Sequence, residues 1–213
     1  MKWEEIKDRQ VRLFDIAQKE DVQYHGYNYF QDVLLVKTTP LFGIDTVDLS
    51  TEFCGKKLDA PIMISGLAGA DKEFSEFNTK IADFAKEYNI GMAVGDQILS
   101  LKNAAQKSGL SQIRKKNPSG FVMGNLGARY VADKSFGFND LQECIDSIQA
   151  DALEFYLNTL QDVLWNDDYQ GDLHLFIEKL QRFIPQIKVP IFIKSMTTGL
   201  SNEEVRMYWD PVS

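Results

Sequence analysis

Asn158, Gln161 and Asp162 are the residues of this chain whose types and spacing are best suited to chemistry. They directly follow residues 151–157, where apolar side chains recur at every second position, as in a β-strand. Two amides and a carboxylate so placed could converge on a ligand. Asp162 with Gln161 could hold Mg²⁺ for a diphosphate, because magnesium favours one or two carboxylates plus phosphate oxygens. Alternatively, Asp162 is a solvated N-cap or first-turn residue of the next helix.

Small or amide residues also follow the other strand-like segments of the chain. These segment ends are 65–70, 94–97, 124–127, 157–158 and 193–195. Glycines allow a planar ligand to approach the backbone, Asn125 and Gln97 could bond ring carbonyls and nitrogens, and Lys194 could meet negative charge on such a ring. Taken together, these ends predict a flat polar cofactor. Taken singly, each is better explained by the turn geometry of α/β loops.

The elements that must position these residues alternate between strand and helix from residue 60 onward, at about 30 residues per unit. The apolar patterns predict strands at 61–66, 90–95, 121–124, 151–157 and 189–194. Helices are predicted at 74–88, 101–116, 138–148 and 171–183, with another beginning near 201. In the helix at 74–88, we expect Phe77, Ile81, Phe84, Ala85 and Tyr88 to face inward.

Residues 1–59 differ from this pattern. Residues 3–19 read as an amphipathic helix with Ile6, Leu13, Ile16 and Ala17 near one face. Segments 33–36 and 47–53, around Pro40 and Gly43, read as short β-strands, which would form a ribbon capping one end of the main body.

The fold class that follows is α/β with parallel strands joined by right-handed crossovers. Two architectures fit: an open doubly wound sheet, or a (β/α)₈ TIM barrel without its C-terminal part, since a closed barrel needs eight units and ~250 residues. We favour the barrel, because no G-x-G-x-x-G loop follows the first strand. We expect one domain, with an N-terminal helix and ribbon at 1–59 and about five βα units at 60–213.

Composition excludes several classes of function. A net charge of −8 and a pI near 4.8 argue against a nucleic-acid surface, and no apolar run approaches the ~20 residues of a membrane helix. We expect a cytoplasmic protein in which Cys54 and Cys144 are reduced core thiols. His25 and His174 fall away from the strand ends, so no histidine general base is predicted, and the basic run at 114–116 is explained by a helix dipole.

From Arg9 to Val205 the chain resembles the FMN-dependent type II isopentenyl-diphosphate isomerases. The segments that carry the resemblance are Phe30-Gln31-Asp32-Val33, Pro61-Ile62-Met63, Gly91-Met92-Ala93-Val94-Gly95, Asn125-Leu126-Gly127 and Ala150-Asp151-Ala152-Leu153. The resemblance implies a (β/α)₈ barrel with FMN at its mouth. It also implies conversion of isopentenyl diphosphate to dimethylallyl diphosphate in isoprenoid biosynthesis, with NAD(P)H reducing the flavin and Mg²⁺ anchoring the diphosphate.

The resemblance also implies roles for particular residues. The cofactor-binding residues would be Leu67, Ala68, Gly69, Asp96, Asn125 and Lys194. Asn158 and Gln161 would be catalytic and face the substrate, Arg9 and Gln10 would also bind substrate, and Asp162 would be the metal ligand. Family members assemble through barrel surfaces, so we expect a homo-oligomer.

Departures from the family pattern fall on functional positions. The family's Arg-Lys-x-x-His reads Arg9-Gln10-Val11-Arg12-Leu13, its Ser-Gln-Arg reads Asp96-Gln97-Ile98, and its His-Leu-Asn reads Tyr156-Leu157-Asn158. A carboxylate introduced beside a diphosphate is unfavourable at short range. Two alternatives therefore stay open: a catalytically inactive, truncated or degenerate paralogue, and another FMN-dependent oxidoreductase that acts on a non-phosphorylated substrate.

Overall fold

The computed structural model describes residues 3–23, 25–26, 29–34, 43–67, 69, 74–101, 104–164, 173–196 and 199–209. The helices are α1 (Trp3–Lys19), α2 (Ser75–Glu87), α3 (Ala104–Lys116), α4 (Ala128–Val131), α5 (Phe138–Ile148), α6 (Thr159–Leu164), α7 (Leu173–Phe183) and α8 (Asn202–Trp209). The strands are β1 (Thr51–Phe53), β2 (Lys56–Leu58), β3 (Met63–Ile64), β4 (Gly91–Ala93), β5 (Val122–Gly127), β6 (Ala152–Leu157) and β7 (Ile191–Ser195). Within these ranges, no helix is both long and apolar enough to cross a membrane.

The main sheet contains five parallel strands in the order β3-β4-β5-β6-β7, as the strand–helix alternation predicts. β5 and β6 pair over five positions, from Met123 opposite Ala152 to Gly127 opposite Tyr156. The sheet is curled, and helices cover its outer face. This architecture is consistent with part of a TIM-like barrel, and closure into eight strands stays a prediction.

Side-chain alternation divides the core into two layers. The larger layer joins the outer face of the sheet to the helices, where Leu126, Leu153 and Phe155 pack with residues such as Phe176. The second lies against the inner face near the N-terminal strand ends and contains Leu58, Ala93, Phe121, Met123 and Ala152. The inner face nearer the C-terminal strand ends is therefore left for polar residues.

A ribbon does pack at the N-terminal ends of the strands, but its residues differ from the prediction. β1 pairs with β2 around Cys54 and Gly55, which both have positive φ, as a two-residue hairpin turn requires. The Phe53 ring lies 5.1 Å from that of Phe121. The predicted strand at 33–36 is wrong for residues 33–34, which are not in a strand, and its remainder lies outside the described residues. Cys54 is exposed in the turn and is not a core thiol, whereas Cys144 is buried.

The inner face predicted for the second helix is partly wrong. Phe84 and Tyr88 are 47% and 53% exposed and pack against each other, with ring centroids 4.6 Å apart. The buried residues of α2 are Asn78, Ala82 and Ala85. The i,i+4 aromatic spacing fits a helical stripe, but that stripe faces away from the sheet because small residues allow the closer approach of α2.

The basic run at the end of α3 holds a structural residue that the helix dipole does not explain. Arg114 is buried and donates to Asp151 at 2.7 Å and to the carbonyl oxygens of Gly120 and Gln149. Lys56 forms a second ion pair with Asp151 at 2.8 Å. Burial disfavours the charge on Asp151, but hydrogen bonds from Lys56 and Arg114 outweigh it and lower the pKa of this carboxyl.

We expect Arg114→Met to lower the free energy of unfolding by about 3 kcal/mol, because it leaves buried carbonyls and part of a buried carboxylate without their donor. Lys115→Ala is the matched control, since Lys115 is exposed on the same turn and should change stability by less than about 0.5 kcal/mol. Urea unfolding monitored by circular dichroism measures both. Equal stabilities of the two variants would contradict this role.

Candidate active site

A cavity of about 470 Å³ lies at the C-terminal ends of the strands. Nine of the residues predicted from the sequence to bind cofactor, substrate or metal line it: Arg9, Gln10, Leu67, Gly69, Asp96, Asn125, Asn158, Asp162 and Lys194. Ala68 lies outside the described residues, as does the side chain of Gln161, whose backbone is in α6. The strand ends therefore meet around one hollow, while the roles assigned to these residues stay predictions.

α1 forms one wall of the cavity. Its predicted apolar face, with Ile6, Leu13, Ile16 and Ala17, borders the hollow together with Arg9 and Gln10 on the same wall. The helix is held there in part by Phe14, whose ring lies 4.9 Å from Phe74 and 5.1 Å from Phe77. The N-terminal helix thus adds both apolar and polar surface to the strand ends.

Lys194 of β7 is ion-paired across the inner face of the sheet. Its Nζ lies 2.5 Å from Oε1 of Glu154, whose side chain is 8% exposed. Glu154 and Tyr156 are alternate residues of β6, and Tyr156 lies opposite Lys194 in the parallel register. Glu154 did not figure in the predicted site, although its two-residue spacing from Tyr156 places both on the same face of the strand.

Arg129 and Asp162 form a second ion pair, at 2.7 Å. Arg129 belongs to the short helix α4, which begins directly after β5, and Asp162 belongs to α6. Burial raises the pKa of Asp162, although the hydrogen bond and charge of Arg129 oppose this shift. The sequence patterns predicted neither short helix, so they missed Arg129.

The arrangement around Asp162 does not fit a divalent cation. Its Oδ1 already accepts a hydrogen bond from Arg129, and a cation and a guanidinium would repel each other there. Among the described residues, no three or more His, Cys, Asp or Glu side chains form a group that could hold a metal ion, and a site with one or two carboxylates would need the phosphate oxygens of a bound diphosphate. Asp162 as a metal ligand therefore stays a prediction without structural support.

Asp96 is bound by Tyr156, a contact that joins the end of β4 to the end of β6. The hydroxyl of Tyr156 donates to Oδ2 of Asp96 at 2.5 Å, and the backbone N–H of Ile98 donates to Oδ1 at 2.9 Å. Burial raises the pKa of Asp96 to about 6, and the two hydrogen bonds only partly offset that increase. This carboxyl is therefore able to change its protonation state near neutral pH.

Buried polar atoms without hydrogen-bond partners border the cavity. They are Oδ1 of Asn125 and both amide atoms of Gln10, counted over the described part of the chain. Asn125 itself is 3% exposed. Because buried polar groups normally find partners, these atoms fit a ligand with polar edges, and a cavity of this volume lies in the range of small-molecule sites. FMN has a ring with such polar edges, and FMN as the ligand of this cavity stays a prediction.

Gln97 does not face this ligand space, contrary to the prediction. It is fully buried between strand and helix, where its Nε2 donates to the Cys144 carbonyl at 2.9 Å and its Oε1 accepts from the Asn125 N–H at 3.0 Å. Gln97 therefore positions the backbone of Asn125. Gly69 lines the cavity beside Gln10, because a Cβ on Gly69 would meet Oε1 of Gln10 at 1.9 Å.

The fold and the site together define an α/β protein with a ligand cavity at the carboxyl ends of a curled parallel sheet. This is the position at which TIM-barrel enzymes carry their active sites.

The chain is similar in sequence to curated isopentenyl-diphosphate delta-isomerases. It is 34% identical to that of Sulfurisphaera tokodaii over 209 residues, which is 96% of this chain and 55% of the relative. Identity is 31% to that of Methanococcoides burtonii and 30% to that of Archaeoglobus fulgidus, over 93% and 92% of this chain and 54% and 56% of the relatives. No protein-family model matches.

These matches confirm the suspected relationship: the chain is a divergent relative of the isopentenyl-diphosphate delta-isomerases. The chain spans about half the length of the curated relatives it matches.

We expect Asp96→Asn to stabilise the protein above pH 6. Because the folded-state pKa is raised from 3.8 to about 6, the native state holds this proton more tightly, and wild-type stability falls as pH rises between these values. At pH ~7.5 the variant should be more stable by about 1 kcal/mol, less than the full shift implies because Asp96 is only partly buried.

Chemical unfolding at pH ~4 and ~7.5 measures this effect. Asp146→Asn is the control, since Asp146 is exposed on α5 and should show no such difference. A gain for Asp96→Asn that is equal at both pH values would refute a raised pKa.

Proposed function

We propose that this cavity binds FMN and isopentenyl diphosphate and serves the isomerisation of the latter to dimethylallyl diphosphate. The observation that carries the proposal is the meeting of Leu67, Gly69, Asn125, Asn158 and Lys194 at one hollow with unpartnered buried polar atoms. The names of the related proteins support the same reaction. Because this chain spans about half of those relatives, the activity is proposed for the protein that contains these units.

The residues around the cavity have distinct tasks in this proposal. FMN, once reduced by NAD(P)H, would supply the acid and base that move a proton between the allylic carbons of the substrate. Asn125 would hold the polar edge of the ring through its free Oδ1. Lys194 would present a positive charge beside the ring, in an orientation that the ion pair with Glu154 maintains.

Substrate binding is assigned to other residues that line the same cavity. Arg9 and Arg129, both at the cavity, would attract a diphosphate through their guanidinium groups. Asn158 and Gln161 would orient the substrate, and Gln10 would contact it through the amide that lies against Gly69. The apolar residues of α1 would cover the hydrocarbon part and exclude water. No step is assigned to Mg²⁺, since the surroundings of Asp162 do not fit it.

A second function has a specific observation in its favour. Both Lys194 and Arg129 are bonded to carboxylates, and Asp96 adds a further acidic group. This balance of charge would suit a flavin enzyme whose substrate carries no phosphate. An inactive paralogue is the remaining alternative. Cytoplasmic location, homo-oligomerisation and use of NAD(P)H stay predictions.

We expect the protein to bind FMN and Asn125→Ala to weaken binding about tenfold, the loss of roughly one hydrogen bond. Asn139→Ala is the control, because Asn139 is exposed on α5 and should leave the affinity unchanged. Titration of FMN fluorescence measures both dissociation constants. Equal affinities in the two variants would exclude the proposed place of the ring.

Activity separates the candidates. With reduced FMN, conversion of isopentenyl diphosphate to dimethylallyl diphosphate followed by ¹H NMR supports the isomerase. Flavin binding without conversion, together with reduction of a non-phosphorylated substrate, supports the second function. Absence of flavin binding supports the inactive paralogue.

A further inference from the structure

Asp96, at the end of β4, and Tyr156 of β6 contact each other where both line the cavity. Their side chains join at 2.5 Å through the hydrogen bond from the tyrosine hydroxyl to the carboxylate. This contact holds a carboxyl group at the wall of the cavity.

Asp96 differs from the other carboxylates of the cavity wall in its partners. Glu154 is bonded to Lys194 and Asp162 to Arg129, whereas the bonds to Asp96 come from neutral donors, a hydroxyl and a backbone N–H. Its charge is therefore balanced less directly than theirs, and it lies on the surface that a ligand would meet.

The titratable and charged groups that interact with Asp96 come from four elements: Tyr156 of β6, Arg129 and Tyr130 of α4, Asp162 of α6 and Cys144 of α5. Arg9 of α1 lines the same cavity. Arg129 favours ionisation of Asp96 and Asp162 disfavours it, and burial has a larger effect on the pKa of Asp96 than either. Tyr156, Tyr130 and Cys144 all have raised pKa values and stay neutral at neutral pH. Burial then decides the state of Asp96.

We propose that Asp96 determines which anions this cavity accepts, by admitting a diphosphate when the carboxyl carries a proton and repelling it when the carboxyl is ionised. In the protonated form, the carboxylic O–H donates a hydrogen bond to a phosphate oxygen. In the ionised form, two negative charges face each other in a partly desolvated site. Binding of a diphosphate therefore takes up one proton from solution. The proposal uses the substrate class of the proposed function, and its test needs neither flavin nor turnover.

The size of the effect follows from the fraction of protein in the competent form. With a pKa of about 6 for Asp96, about 3% of molecules are protonated at pH ~7.5 and about 90% at pH ~5. The apparent dissociation constant of wild type then rises about 30-fold at pH ~7.5 relative to a neutral variant, and hardly changes at pH ~5. Asp96→Asn is that variant, since an amide keeps the shape and loses the charge.

The test is isothermal titration of the protein with inorganic pyrophosphate in EDTA at pH ~5 and ~7.5. The ratio of the wild-type to Asp96→Asn dissociation constants should be near one at the lower pH and about 30 at the higher. Comparing the two dissociation constants at the same pH cancels the effect of pyrophosphate's own ionisation on binding. Asp83→Asn is the control, because Asp83 is exposed on α2, and its ratio should stay near one throughout.

Two further measurements separate a charge effect from a structural one. At pH ~7.5, titration in buffers of different ionisation enthalpy should show uptake of about one more proton in wild type than in Asp96→Asn. Tyr156→Phe removes a hydrogen bond that favours the ionised form of Asp96 and therefore raises the pKa of Asp96. The affinity of this variant for pyrophosphate should decline at a higher pH than that of wild type. If Asp96→Asn fails to fold, the comparison of wild type with Tyr156→Phe still tests the charge effect, because both proteins keep the carboxyl group of Asp96.

A constant ratio at both pH values, equal proton uptake in both proteins, or absence of pyrophosphate binding at pH ~5 would each overturn the proposal. These outcomes are distinct from failure of the proposed function. A protein that binds pyrophosphate with the expected pH dependence but neither binds flavin nor isomerises the substrate would retain the role of Asp96 and lose the isomerase assignment.

Discussion

The parallel register of β5, β6 and β7 is the constraint on which the site depends. Side chains alternate between the two faces of a strand. The register therefore determines both which residues pack against the helices and which residues face the hollow. In β6, Leu153 and Phe155 enter the outer core, while Glu154 and Tyr156 face inward and meet Lys194 and Asp96. A slip of one residue would exchange the two sets and bury the charges among apolar side chains.

The same register explains why polar groups tolerate burial at the mouth. Charged groups removed from water must be paired or bonded, and the neighbouring strands and the helices that follow them bring the partners within reach. Gly127 lies opposite Tyr156, and a Cβ at this glycine would meet the tyrosine hydroxyl at 2.8 Å. The small residue thus leaves space for the ring that holds Asp96. Such networks add little stability, but they give the cavity a defined distribution of charge.

Sequence patterns predicted the fold well where one physical rule acted alone. Continuous apolar runs indicated the buried parallel strands, and the helix at residues 138–148 was predicted with the bounds of α5. Prediction failed where tertiary contacts chose between two local options. The stripe with Phe84 is amphipathic, yet the small residues of α2 pack on the sheet. The hairpin depends on positive φ at Cys54, a residue whose type gives no strong turn signal.

The candidate site was predicted in outline because strand ends of a parallel sheet must meet at one edge. Which side chain bonds to which could not be read from spacing. Gln97 follows β4 and Asn125 lies near the end of β5, yet Asn125 lines the cavity and Gln97 is buried behind it, where its Oε1 accepts from the Asn125 backbone N–H. Arg129 was not predicted as a site residue because α4, at Ala128–Val131, is too short to show a periodic pattern. Partners separated by 30 or more residues, such as Asp96 and Tyr156, are determined by topology and not by local sequence.

A residue-resolved NMR titration with FMN tests most directly whether the strand ends form one flavin site. The backbone amide signals of Gly69, Asn125, Asn158 and Lys194 should shift together with a single dissociation constant, because these residues line the same hollow. Signals of Gly55 and Lys115, at the hairpin turn and the end of α3, should stay in place. Shifts confined to one of the four residues, or spread evenly over both ends of the sheet, would contradict a common site.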